Sequence, residues 1–127
     1  MRSIVGTWRL VKAESFDAQG KPLPLPYGGK GMGRACFTED GRMMAVTGSA
    51  LKEMPPGAAR DYSSYCGDYT FDGTQLVTHV DGASDPTRLG GDQVRKASFD
   101  GERLVLRPPP RPNGEQRVLT WEKISSE

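Results

Sequence analysis

Short turn signals recur along the whole chain: Asp17-Ala18-Gln19-Gly20, Glu39-Asp40-Gly41, Asp72-Gly73, Asp100-Gly101 and Asn113-Gly114. Asp-Gly and Asn-Gly accept the left-handed backbone that tight hairpins need, and between apolar runs they are the strongest local hairpin signals. A chain punctuated this often has no room for long helices and folds as consecutive antiparallel strands. The runs between the turns predict strands over residues 5–16, 33–38, 42–47, 62–71, 75–83, 92–99, 103–108 and 116–124. Several alternate as half-buried strands do. Tyr65, Gly67, Tyr69 and Phe71 share one face, against Cys66, Asp68 and Thr70. Leu104 and Leu106 oppose Arg103, Val105 and Arg107. Leu119 and Trp121 oppose Val118, Thr120 and Glu122.

At 127 residues the chain is expected to be one domain over residues 1–127. Its 35% hydrophobic content, 16 glycines and 10 prolines fit a turn-rich all-β protein. Disorder has a similar composition, but the apolar residues here recur in regular short runs. Eight antiparallel strands with short turns must dispose of two sheet edges, and closure into an up-and-down β-barrel does so. An open sandwich is the alternative; the hairpin order and even strand spacing favour the barrel. Residues 49–61 predict a short helix or a lid-like loop, with Ser49 as a cap and Pro55-Pro56-Gly57 as the stop. Pro108-Pro109-Pro110-Arg111-Pro112 cannot join a ladder and reads as a polyproline connector.

Seventeen basic and sixteen acidic residues leave a net charge of +1 with the signs interspersed. Neither a nucleic-acid-binding face nor a polybasic membrane surface follows from that pattern. No apolar run approaches the roughly 18 residues of a membrane span. The opening Met1-Arg2-Ser3-Ile4-Val5-Gly6 lacks the apolar core of a signal peptide, so a cytoplasmic location is expected. Cys36 and Cys66 match no metal spacing and read as free thiols. Gly28-Gly29-Lys30-Gly31 lacks the following Ser or Thr and the strand-to-helix setting of a phosphate loop. No cofactor and no metal are expected.

The opening Ile4-Val5-Gly6-Thr7-Trp8-Arg9-Leu10 resembles the Gly-X-Trp start of the calycins, which include lipocalins and fatty-acid-binding proteins. Further matches narrow the resemblance to the bacterial and fungal lipocalin-like domain family. They are Pro22-Leu23-Pro24-Leu25-Pro26-Tyr27-Gly28, then Gly33-Arg34-Ala35-Cys36-Phe37-Thr38 with Asp40-Gly41-Arg42-Met43. Tyr62, Tyr65, Gly67 and Tyr69 follow, with Val77-Thr78-His79-Val80, Gln93-Val94-Arg95, Leu104-Val105-Leu106 and Leu119-Thr120-Trp121-Glu122. Two departures stand out: the segment before the fourth strand is short, and Tyr65-Cys66-Gly67 replaces the Tyr-Phe-Gly of many members. The resemblance implies a barrel enclosing a cavity. It also implies that Gly6 and Trp8 are structural, with a cation from a late strand over the Trp8 indole. Arg117 and Arg95 are the candidates, and Arg117 is preferred because the last strand of a closed barrel pairs with the first.

His79 is the one histidine, the side chain that titrates nearest neutrality, so acid–base chemistry would look to it first. With Tyr65 and Tyr69 on the preceding strand, it forms a candidate site for a carbonyl or carboxylate, or for axial binding of an aromatic or haem-like ligand; an ordinary core or surface histidine is the competing reading. Arg95 suits an anion, since an inward arginine is costly without a partner. Trp121 and Met43 complete an apolar lining. Nucleophilic catalysis has no support: neither cysteine has a neighbouring His, and no Gly-X-Ser-X-Gly motif occurs. These residues predict a binding module for a small apolar or amphipathic molecule, as a monomer or homodimer. The alternatives are a cyclase or isomerase using the same cavity, and a filled barrel acting through its surface.

Overall fold

The computed structural model describes residues 3–126. Met1, Arg2 and Glu127, counted within the expected domain, lie outside the described residues. Eight strands close into an antiparallel barrel in sequence order. They are β1 (Gly6–Phe16), β2 (Gly31–Phe37), β3 (Arg42–Ser49), β4 (Tyr62–Phe71), β5 (Gln75–Ala83), β6 (Asp92–Asp100), β7 (Arg103–Arg107) and β8 (Gln116–Ser125). Each expected strand is present, with its ends moved by at most two residues.

Of the short helix or loop expected over 49–61, the loop forms. β3 runs on to Ser49, and residues 50–61 form an irregular loop. The Ser49 hydroxyl does accept a bond from the Leu51 amide, as a cap would. The Arg60 guanidinium then takes the carbonyls of Ser49, Leu51 and Lys52, so no helical ladder propagates. A single 3-10 turn forms at Pro86–Arg88, and Pro26–Gly29 makes a tight turn in which Tyr27, Gly28 and Gly29 have positive φ.

The β1–β8 seam completes the barrel, with Trp8 opposite Lys123 and Ser15 opposite Arg117. Gly6 shows why the opening needs glycine. Its φ is +134°, and a Cβ there would lie 2.4 Å from the Ser125 carbonyl oxygen. Trp8 is 2% exposed and its indole N–H donates to the Ile4 carbonyl at 2.8 Å. Lys123 Nζ lies 5.1 Å from the centre of the ring. The expected cation is therefore present on the last strand, but it is Lys123. Arg117 pairs with β1 near its other end, out of reach of the indole.

Because the strands run up and down, successive connections alternate between the two ends. The tight turns at residues 38–41, 72–74 and 101–102 all fall at one end. There Trp8, Phe37, Met43, Leu76 and Leu104 fill the interior, with Tyr69, Phe71 and Phe99 packed against them. Phe37 and Tyr69 meet edge to face at 5.1 Å. The four longer connections, residues 17–30, 50–61, 84–91 and 108–115, fall at the other end. This asymmetry positions the site. Gly6→Ala should destabilise the fold by roughly 2–4 kcal/mol in urea denaturation, combining a disfavoured φ with a carbonyl clash.

Candidate functional site

The long-loop end holds a cavity of about 510 Å3 to which all four long connections contribute. Tyr27 comes from the first, Asp61 from the second, Arg88 from the third, and Pro108, Arg111 and Glu115 from the fourth. Inward positions of the strands complete it, among them Thr47, Tyr65, Gln93, Arg95 and Trp121.

Arg95 is the centre of its electrostatics. Gln93, Arg95, Ala97 and Phe99 alternate inward along β6, which sends the Arg95 side chain into the barrel. Its guanidinium donates to the Val94 carbonyl at 3.0 Å and to Gln93 Oε1 at 2.9 Å. Among the described residues no carboxylate lies within ion-pairing distance of it. Burial pushes its pKa down from the ordinary arginine value; the Tyr65 and Tyr27 phenols oppose that shift and Arg88 adds to it. The result is a largely desolvated cation beside two phenols.

Tyr27 is held there at a conformational cost. It is the one non-glycine residue with positive φ among those described, at φ 60° and ψ 31°, followed by left-handed Gly28 and Gly29. A left-handed bulky residue is a true outlier and persists only where its surroundings enforce it. The Tyr27 hydroxyl donates to Thr47 Oγ1 at 3.1 Å. Arg88 lies over the Tyr65 ring, 5.6 Å from its centre. Trp121 is 3% exposed, and its indole N–H finds no partner among the described residues. Gly33 leaves room for that indole, since a Cβ there would sit 3.0 Å from the Trp121 ring tip.

Glu115 accepts from the Ser15 hydroxyl and from Arg117 Nε at 3.4 Å. The Ser15 bond, followed by Arg117, holds its carboxyl below the usual glutamate range. Arg117 thus belongs to the cavity wall, in contrast to its expected structural role at Trp8.

The cavity brings together three of the six expected ligand contacts, Tyr65, Arg95 and Trp121. The other three lie elsewhere. His79 points outward, its side chain 63% exposed and its Nδ1 3.0 Å from Asp92 Oδ1. Leu76, Thr78 and Val80, each 1% exposed, hold the inward positions of β5. Tyr69 lies in the filled half, its hydroxyl donating to the Thr38 carbonyl at 2.7 Å. Met43 is 4% exposed in the same half, opposite Phe37 and Gly67. Sequence reasoning did not single out Tyr27 or Arg88 as site residues. Both sit in loops where no period-two pattern tells inside from outside. The prolines and glycines around them, Pro24 to Gly29 and Pro86 to Gly91, mark turns without showing where the side chains aim.

A second concavity, about 550 Å3, is an open apolar groove on the outer face of β2–β5 near Cys36, Met44 and Cys66. Both cysteines are free thiols. The hydrogen bond of Cys66 to Asp81, and then burial, raise its pKa, the reverse of an activated nucleophile. Among the described residues no three His, Cys, Asp or Glu side chains are placed to hold a metal ion. No helix among them is long and apolar enough to cross a membrane.

A closed eight-stranded barrel, packed at one end and hollow at the other, defines a calycin-type protein. The chain belongs to the lipocalin-like domain family: the model described as "Lipocalin-like domain" matches residues 5–124. No curated protein and no solved structure matches it significantly.

Glu115 sets a pH dependence. Its folded pKa is depressed, so its contribution is present above the unfolded glutamate pKa and is lost as pH falls through the lower folded value. Glu115→Gln should therefore be less stable than wild type at about pH 7, and the difference should narrow towards about pH 3. Urea denaturation at the two pH values measures this.

Proposed function

We propose that the barrel binds one small amphipathic molecule at its open end. Its acidic group lies at Arg95 and its apolar body lies against Tyr65, Tyr27 and Trp121. The observation that carries this reading is Arg95, half-buried on the cavity wall, bonded to Gln93 and the Val94 carbonyl but with no carboxylate partner among the described residues. Withdrawing a charge from water costs several kcal/mol unless it is paired, and an apolar side chain would serve the fold better. A ligand anion supplies the missing partner. The volume of about 510 Å3 falls in the range of small-molecule pockets.

Carrier function is the first reading. Isomerisation or cyclisation by confinement is the second, favoured by the strained placement of the Tyr27 phenol beside a cation. A reducing, cytoplasmic setting belongs to the same proposal and is supported by the two free thiols.

Calorimetric titration with 2-naphthoate and with the uncharged 2-naphthamide tests the reading. Wild type should bind the carboxylate, with the amide at least about tenfold weaker. Arg95→Gln should lose that preference while raising the melting temperature, because it removes a half-buried charge that has no carboxylate partner among the described residues. His79→Ala, outside the barrel, should bind as wild type does. Equal binding of the acid and the amide, or full affinity in Arg95→Gln, would sink the reading.

A further inference from the structure

Arg95 is not the only cation facing this cavity without a carboxylate in contact. Arg88 arrives from the connection between β5 and β6, on a turn that is built to hold it. Asp85 accepts from the Thr87 amide at 3.0 Å and from the Thr87 hydroxyl at 2.7 Å, which fixes the start of the Pro86–Arg88 turn. The Leu89 and Gly90 amides then bond back to Pro86 and Val80, tying the turn to β5. From that base the Arg88 guanidinium lies over Tyr65, half-buried, on the same cavity wall as Arg95 and Gln93.

Four of the described arginines line the cavity; Arg117 and Arg111 act on Glu115, while the Arg88 charge acts against that of Arg95. A carboxylate or a ligand anion between such a pair would relieve that repulsion through charge-assisted hydrogen bonds. The cavity has two carboxylates. Glu115 is engaged by Ser15 and Arg117. Asp61 makes no ion pair with either arginine among the described residues. Asp85 lies near Arg88 in charge, but its oxygen is held by Thr87 and it does not line the cavity. One guanidinium suffices for a carboxylate. Two that line the same cavity, Arg88 over the Tyr65 ring and Arg95 bonded to Gln93, match a group with two negative charges and three acceptor oxygens.

We propose that the acidic group this cavity takes is a dianion, a phosphate monoester or a group of the same charge. It would be held between Arg95 and Arg88, with the body of the molecule against Tyr65. The proposal rests on the reading that the cavity binds a small acid and adds the charge of that acid.

The test is calorimetry with 2-naphthyl phosphate, 2-naphthoate and inorganic phosphate at about pH 8, where the monoester is doubly charged. The ratio of the two naphthyl affinities is the readout. Wild type should bind the phosphate ester about tenfold more tightly than the carboxylate. Arg88→Gln should bring that ratio to about one, and Arg88→Lys should restore part of it. A wild-type ratio near one, or a ratio that Arg88→Gln leaves unchanged, overturns the dianion proposal while leaving the acid reading intact. Binding of neither naphthyl compound overturns both. Inorganic phosphate binding as tightly as the ester would keep the dianion and assign the site to the free ion.

Discussion

The closing seam between β1 and β8 is the constraint on which everything else depends. Until these strands pair, the sheet has two open edges and no inside. Once they pair, the strand number fixes an interior wide enough for side chains or one small guest. The sequence around the seam is correspondingly demanding. Gly6 lies so close to the Ser125 carbonyl that no Cβ fits. Trp8 fills the interior beside it, with its N–H on Ile4 and Lys123 over its ring. The Gly-X-Trp opening is thus the imprint of closure, and it says nothing by itself about a guest.

Closure creates an interior, and the connections decide how it is used. The tight turns gather at one end, where large side chains fill the space. At the other end the strands are capped by long connections instead of core. Each of these brings a polar or aromatic side chain over the mouth: Tyr27, Asp61, Arg88, Arg111 and Glu115. The barrel supplies a rigid wall and the loops supply the chemistry, a division common where a scaffold carries function on its connections. Arg95 stands at the junction. It is a strand residue whose parity sends it inward and whose partners, Gln93 and Val94, leave its charge uncompensated.

The fold was legible because its signals are local. Asp-Gly turns and period-two alternation set the strands and their order, and closure followed from the need to remove edges. The lining of the cavity was legible only where the same alternation carried it, at Tyr65, Arg95 and Trp121. His79 is the surface histidine that was the competing reading; its ligand-contact reading arose because Val77 and Val80 sit on opposite faces of β5, so the apolar residues around it do not reveal parity. Thr78, polar but 1% exposed, is the residue that faces in. Tyr69 and Met43 do face inward, but which end of a barrel is hollow depends on the connection lengths and on what they cover. Tyr27 was hidden more deeply, since nothing in its neighbourhood announces a tyrosine with positive φ. The cation over Trp8 was placed on the correct strand, but the β1–β8 register, which the sequence does not specify, selects Lys123.

The two tryptophans divide the barrel between them. Trp8 is sealed in the packed end beneath an ammonium group, and Trp121 forms part of the cavity wall, its N–H without a partner among the described residues. The molecule therefore carries two built-in optical probes in separate surroundings. Emission from Trp121 reports what enters the mouth, and emission from Trp8 reports whether the seam is intact. With a single tryptophan kept in each of two variants, filling and unfolding become separately visible in the same protein.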